Sequence, residues 1–138
     1  MAEEKGFTVE ITSRYEGWWR YNAALMCGCF DAEGRRTGFA SATSEVAGVG
    51  SNLREKPADT DPDRTVRLET PPCDHIVLYL YLIPHTLPAD NRIDETHPFE
   101  ITLRIACGGR KLRTEKRLVN QWSGASVEMR IDAERTAR

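Results

Sequence analysis

The sequence predicts an all-β protein, an antiparallel β-sandwich of about eight strands forming a single domain over residues 1–138. Three observations predict it. Short segments that alternate apolar and polar residues recur along the chain, with turn residues between them. No stretch sustains a helical period. One segment, residues 75–83, is apolar almost throughout, rich in β-branched and aromatic side chains, and stopped by Pro84. A run of that kind reads as a central strand covered on both faces. Many short strands without helices make a sandwich or a barrel. The sandwich is the first choice and a partly closed barrel the alternative.

The elements follow in order. Residues 7–15 place Phe7, Val9, Ile11 and Tyr15 on one face and Thr8, Glu10, Thr12 and Arg14 on the other, a half-buried strand that Glu16-Gly17 breaks. Residues 18–30 read as a long strand with Trp19, Tyr21, Ala23, Leu25, Cys27 and Cys29 on one face, bent near Gly28; a helix through 23–26 competes. Asp31-Ala32-Glu33-Gly34 is a tight turn. The chain returns through Phe39 and Ala42 over 36–43. Residues 44–63 hold glycines, prolines and no period, so they form a long loop, with room for a helical turn over 52–56. Val66 and Leu68 point inward in the next strand, which Pro71-Pro72 ends before the central run.

After the central run, residues 84–98 make a second long loop. Phe99, Ile101, Leu103, Ile105 and Cys107 then alternate with polar neighbours, and Gly108-Gly109 is a two-residue hairpin signal. Pairing Cys107 with Arg110 predicts Ile105 opposite Leu112, Phe99 opposite Leu118, and Arg104 opposite Arg113. Ala125, Val127, Met129 and Ile131 form the inner row of the last strand. The hairpin over 99–118 is expected beside the central strand. Residues 1–6 and 133–138 read as polar tails.

Composition narrows the function classes. Hydrophobic residues make up 40% and charged residues 29%, which is enough apolar content to fold. The formal net charge is -2 and neither half is strongly basic, which argues against duplex nucleic acid as a partner. The longest apolar run is too short for a helical membrane span. The polar start, residues 1–6, lacks the apolar core of a signal peptide, so a soluble cytoplasmic protein is the expectation for the chain as written. Cys27, Cys29, Cys73 and Cys107 read as small buried hydrophobes, since a C-x-C spacing fits neither a mutual disulfide nor a zinc knuckle.

Four constellations carry chemistry. His85 and His97 bound the second loop, with Asp90, Asp94 and Glu95 between them. Were strands 75–83 and 99–107 neighbours, both imidazoles and Asp94 would converge as ligands of a divalent metal. Asp59, Asp61 and Asp63 alternate as calcium ligands do, without the glycine and glutamate of an EF-hand. Arg104, Lys111, Arg113 and Arg117 crowd the hairpin and offer a basic partner-binding face, as do Arg110 and Lys116. Trp18 and Trp122 are the tryptophans expected to be exposed; with Trp19 they suit stacking on a sugar or anchoring a protein. Cys73-Asp74-His75 sets a thiol two residues from an imidazole, but no oxyanion donor accompanies it.

These observations lead to a function expectation. A non-catalytic binding or assembly module that recognises another protein, or itself, comes first. A carbohydrate- or ligand-binding sandwich using Trp18, Trp19 and Trp122 is the alternative, and a metal-dependent enzyme centred on 84–98 the third reading. No cofactor is implied beyond that candidate divalent metal.

Overall fold

Alternation places eight strands, and their pairing places the sheets. The structure, a computed structural model, describes residues 5–61, 64–88 and 96–133. The strands are β1 (Phe7–Thr12), β2 (Tyr21–Phe30), β3 (Arg36–Ser44), β4 (Val66–Glu69), β5 (His75–Pro84), β6 (Phe99–Cys107), β7 (Arg110–Val119) and β8 (Ala125–Asp132). They form two four-stranded antiparallel sheets, ordered β4-β1-β6-β7 and β3-β2-β5-β8, each with two free edges, so the sandwich is not closed into a barrel. The one helical element among the described residues is a 3₁₀ turn, Trp18–Arg20. No helix among them is long and apolar enough to cross a membrane.

The core is built from the even period of the strands. Val9 and Ile11 of β1, Leu103 and Ile105 of β6, Leu25 and Cys27 of β2, and Ile76, Leu78 and Leu80 of β5 are buried in one cluster between the sheets. Burying a Leu or Ile completely stabilises the fold by about 1.5–3 kcal/mol. β5 pairs with β2 over its whole length, so Leu80 lies opposite Leu25 and Leu82 opposite Ala23. Elsewhere along the pair the small residues Ala23, Cys27 and Cys29 of β2 lie opposite Leu82, Leu78 and Ile76 of β5, which suits a close-packed interior.

Several expectations are corrected here. The central run is covered on one face only: Ile76, Leu78, Leu80 and Leu82 are buried, whereas Val77, Tyr79 and Tyr81 are half-buried and Ile83 is exposed. The 99–118 hairpin is not beside β5; β6 pairs with β1 and β7 in the opposite sheet. The long strand starts at Tyr21, because residues 18–20 turn in a 3₁₀ conformation that buries Trp18.

The hairpin register also differs. Gly108 and Gly109 both take positive φ, and Cys107 does pair with Arg110. A bulge at Ile105/Ala106 then makes Leu112 an extra residue on β7 and shifts the rest by one. Ile105 faces Arg113, Phe99 faces Val119, and Arg104 faces Thr114, so the like-charge opposition of Arg104 and Arg113 does not exist. The shift lets Leu112 pack against the core while turning Arg113, Glu115 and Arg117 toward the sheet interface at an edge strand. Inward charges at an edge discourage strand addition.

The long loop after β3 is held by polar side chains and by one backbone bond. The buried Asn22 accepts from Val46 N–H at 2.8 Å and donates to the Ala47 carbonyl at 2.7 Å. Asn52 N–H donates to the His85 carbonyl at 2.7 Å, and Leu53 N–H to Thr86 Oγ1 at 2.9 Å. No helical turn forms over 52–56.

Gly124 closes the β7–β8 turn at φ 77°, donating its N–H to the Asn120 carbonyl at 2.8 Å. A Cβ there would run into the Leu82 carbonyl oxygen, whereas one at Gly34, φ 83°, would meet nothing. Gly34→Ala should therefore cost only left-handed strain, about 1 kcal/mol. Gly124→Ala adds a backbone clash and should exceed about 4 kcal/mol. Thermal melts of both variants check this; equal shifts in Tm refute the close approach.

Candidate functional site

Crossing from sheet to sheet brings four connections to one end of the sandwich. They are residues 13–20 after β1, the segment 45–61, the two ends of the β5–β6 connection, and the β7–β8 turn over 120–124. Gln121 ties them together. Its Nε2 donates to the His97 carbonyl at 2.7 Å, and its Oε1 accepts from Arg20 Nη2 and Tyr15 Oη, each at 2.8 Å. Tyr21 Oη donates to the Gln121 carbonyl at 2.7 Å. Asn120 Oδ1 accepts from Trp122 N–H and Ser123 N–H, which fixes the turn that carries Trp122.

Beneath this hub lies an aromatic cluster. Tyr15 stacks on Phe99 with ring centroids 4.6 Å apart, and Tyr21 tilts against the same ring at 4.9 Å. Two guanidinium groups are built into it. Arg20 is 8% exposed and lies against the rings of Tyr15 and Tyr21. Arg64, also 8% exposed, sits 4.5 Å over the Trp18 ring and donates Nη2 to the Tyr21 carbonyl at 2.6 Å. Burial lowers the Arg64 pKa to about 10, which leaves it a cation at neutral pH, and raises that of Tyr21 to about 12. Two clefts meet at Tyr15, His97 and Gln121. One, about 860 Å³, runs past Trp19, Arg20, Leu53, Leu87 and Trp122; the other, about 910 Å³, lies over the outer face of β1, β6 and β7.

The residues singled out from sequence are scattered across this frame. Arg104 points outward and donates to Thr12 Oγ1 at 3.2 Å. Lys111 pairs with Ala106 on that same outer face. Arg113 and Arg117 turn the other way and both pair with Glu115, at 3.0 Å each. The bulge therefore splits the expected basic face in two.

Trp18 is buried at 3%, because the 3₁₀ turn points it into the cluster under Arg64, contrary to the expectation of exposure. Trp122 and Trp19 are half-buried and line the first cleft.

The convergence of His85, His97 and Asp94 rested on β5 and β6 being neighbours, and they belong to different sheets. His85 is buried, with Nδ1 on Thr86 Oγ1 at 2.7 Å and Nε2 on the Trp19 carbonyl at 2.8 Å, so both ring nitrogens are committed. His97 is exposed at the meeting of the clefts. Asp90, Asp94 and Glu95 lie outside the described residues, as does Asp63 of the aspartate loop. Among the described residues no three His, Cys, Asp or Glu side chains cluster as metal ligands do.

Cys73 and His75 do not form a pair. β5 begins at His75, whose Nδ1 contacts Asp74 Oδ2 at 2.8 Å and whose ring stacks on Phe30, while Cys73 is buried in the core. Sequence reasoning missed Arg20, Arg64 and Gln121. The signal available was polar residues flanking aromatic ones, which composition alone does not single out.

A different feature covers the outer face of the β3-β2-β5-β8 sheet. Met26 lies opposite Tyr79, Ala24 opposite Tyr81, and Gly28 between Val77 and Phe39. Phe39 is 59% exposed. The outer face of the other sheet instead carries Thr8, Glu10, Thr12, Thr102, Arg104 and Lys116.

No family model matches the chain, and no curated protein matches it. Among solved structures, a DUF4425 family protein from Bacteroides ovatus ATCC 8483 aligns over 94% of this chain and 94% of its own, at 6% identity and a TM-score of 0.42. A domain of unknown function, DUF4425, from Bacteroides vulgatus ATCC 8482 aligns over 95% of this chain and 98% of its own, at 7% identity and a TM-score of 0.48.

The four cysteines are free and buried. Burial pushes the Cys27 and Cys73 thiols up to about 12, and Cys107 upward as well. Native protein at pH 8 should therefore react negligibly with Ellman's reagent, and denatured protein should titrate four thiols. The sign for stability follows. Above about pH 8.5 the unfolded chain ionises Cys27 and Cys73 while the folded chain keeps these two protonated, so stability falls as pH rises toward 12. Urea melts at pH 7 and pH 10 check it; a midpoint unchanged between them contradicts the burial argument.

Proposed function

We propose that this chain is a non-catalytic binding module that recognises a protein surface through the outer face of the β3-β2-β5-β8 sheet, a second copy of the chain being the occupant. The observation that supports it is the mismatch along β5. Its sequence is that of a strand covered twice, yet within the fold only the Ile76, Leu78, Leu80 and Leu82 row is covered. The other row, Val77, Tyr79, Tyr81 and Ile83, continues sideways into Met26, Phe30 and Phe39. Contiguous apolar surface of that kind marks interaction sites, and tyrosine is favoured in them.

Four strands of eight to ten residues, about 4.8 Å apart, give a face of roughly 15 by 30 Å, about 450 Å² on one partner, the scale of a weak, concentration-dependent contact rather than an obligate one. The charges on this face, Arg36 at the start of β3 and Glu128, Arg130 and Asp132 on β8, sit on the two edge strands, where they would form a rim. A face pairing with its own copy about a two-fold axis needs only self-complementarity, which an uncharged, aromatic centre supplies. The non-catalytic part of the reading draws on the committed nitrogens of His85 and the raised thiols of Cys27 and Cys73.

Native mass spectrometry and sedimentation over a range of concentrations test it. The wild type should dimerise without metal. Phe39→Glu, at an exposed position where a charge is tolerated in the monomer, should weaken the dimer at least tenfold and leave Tm of the monomer unchanged. A wild type that stays monomeric throughout, or a dimer indifferent to Phe39→Glu, would falsify self-pairing through this face.

A further inference from the structure

The outer face of the β4-β1-β6-β7 sheet sorts its charges to one side. On the β4 side, Arg67 bonds both Glu10 and Glu69, so these three groups answer one another. On the β6–β7 side stand Arg104, Lys111 and Lys116, all exposed. Glu100 is the one carboxylate on the outward rows of β6 and β7.

The register spaces these cations evenly. Lys111 lies opposite Ala106, Arg104 opposite Thr114, and Lys116 opposite Thr102, so three successive rows of the face carry one cation each. Rows on one face of a strand repeat every two residues, about 7 Å. Arg14, beyond the end of β1, lines the cleft of about 910 Å³ over this face together with Arg104 and Lys116. Between the cations the floor of the cleft is Thr12, Thr102 and Thr114. Their side chains are short, their hydroxyls both donate and accept, and Thr12 Oγ1 accepts from Arg104 at 3.2 Å.

We propose that this face docks an extended acidic segment of a partner protein, whose Asp or Glu side chains at alternate positions meet Lys111, Arg104 and Lys116 in turn. The spacing carries the choice. An extended peptide laid along the strands repeats its own side chains on one face every two residues, the same distance of about 7 Å as the rows beneath it. Its carboxylates accept charge-assisted hydrogen bonds from Arg and Lys, and Thr102 and Thr114 offer hydroxyls to the polar groups between them. Single-stranded nucleic acid is held by stacking its bases on aromatic side chains. The two rings lining this cleft, Tyr15 and Phe99, stack on each other instead, with centroids 4.6 Å apart. Exposed ion pairs are individually weak and screened by salt, so the docking draws on several pairs at once and loosens as ionic strength rises. This face and the one proposed to self-pair lie on opposite sides of the sandwich, so either assignment stands or falls without the other.

A peptide of alternating Glu and Ser, titrated into the full chain by calorimetry, tests it. The comparison probes are alternating Gln and Ser, the same Glu and Ser residues sorted into two blocks, and an oligouronate and an oligothymidylate of equal charge. The alternating acid should bind saturably, about tenfold or more tighter than its neutral form and about threefold or more tighter than the block form, and should weaken as salt is raised. Arg104→Glu with Lys116→Glu, both at exposed positions, should weaken it about tenfold or more. Arg130→Glu, on the outer face of the other sheet, should leave it unchanged. The peptide comparisons use the wild type alone and decide the matter even if the double variant folds poorly. No binding, equal binding of the neutral or the block peptide, tighter binding of the oligouronate or the oligothymidylate, or an affinity indifferent to salt or to the double reversal in folded protein would each overturn the proposal.

Discussion

Everything in this molecule depends on the pairing of β2 with β5. The inner row of β5, Ile76, Leu78, Leu80 and Leu82, faces Cys29, Cys27, Leu25 and Ala23 across the sheet. These two rows are the floor on which Val9, Ile11, Leu103 and Ile105 of the second sheet rest. Side chains alternate with period two, so a slip of one residue would move every one of these groups to solvent. The hydrophobic term therefore specifies the register of β2 and β5 strongly, and the sheets assemble around it. Each sheet contains only one hairpin between consecutive strands, β2–β3 in one and β6–β7 in the other. The remaining connections must cross between the sheets, and crossing collects loops at the ends.

Loops at the end of a sandwich bring backbone polar groups into places where strand ladders cannot satisfy them. Here side chains take over that role. Asn22 serves residues 46 and 47, the His85 carbonyl and Thr86 hold 52 and 53, and Gln121 bridges the β1–β2 connection to residue 97. The same end contains the groups for which no such service is found, the free arms of Arg20, Arg64 and Trp122. Natural proteins depart from full polar satisfaction chiefly where function requires it. The two outer sheet faces make a parallel contrast. One is threonine and charge; the other is aromatic and aliphatic and ends at β3, an edge strand with no charged residue from Thr37 to Ser44. The other edges carry Arg67 and Glu69 on β4, a bulge with inward charges on β7, and Glu128 with Arg130 on β8. An unguarded edge beside an apolar face fits a surface that is covered rather than solvated.

Much of the fold was legible residue by residue. Phe7, Val9 and Ile11, Val66 and Leu68, and the row from Phe99 to Cys107 are buried as their alternation requires. The turns at Gly34 and Gly108-Gly109 form with the positive φ that glycine permits. Cys27 and Cys29 lie on one buried face. The candidate site was far less legible. Trp122 was singled out and does line a cleft, but Trp18, adjacent to Trp19 and alike in composition, turned inward. Arg20 and Arg64 had nothing in their local sequence to distinguish them from solvated arginines. Their burial comes from partners 101 and 43 residues away.

By itself the sequence determined the strands, the turns and which side chains belong to the core, because each of those follows from period-two alternation and local backbone preference. Tertiary structure decided which strands are neighbours, since that depends on contacts between residues far apart in the chain. It placed β6 beside β1 instead of β5, and so removed the strand adjacency from which a histidine site was expected. It decided the bulge at Leu112, where filling the core outweighed regular pairing and turned Arg113 and Arg117 away from Arg104. And it left one face of β5 uncovered, a property that a local pattern cannot carry, because coverage depends on what is packed against the strand and not on the strand.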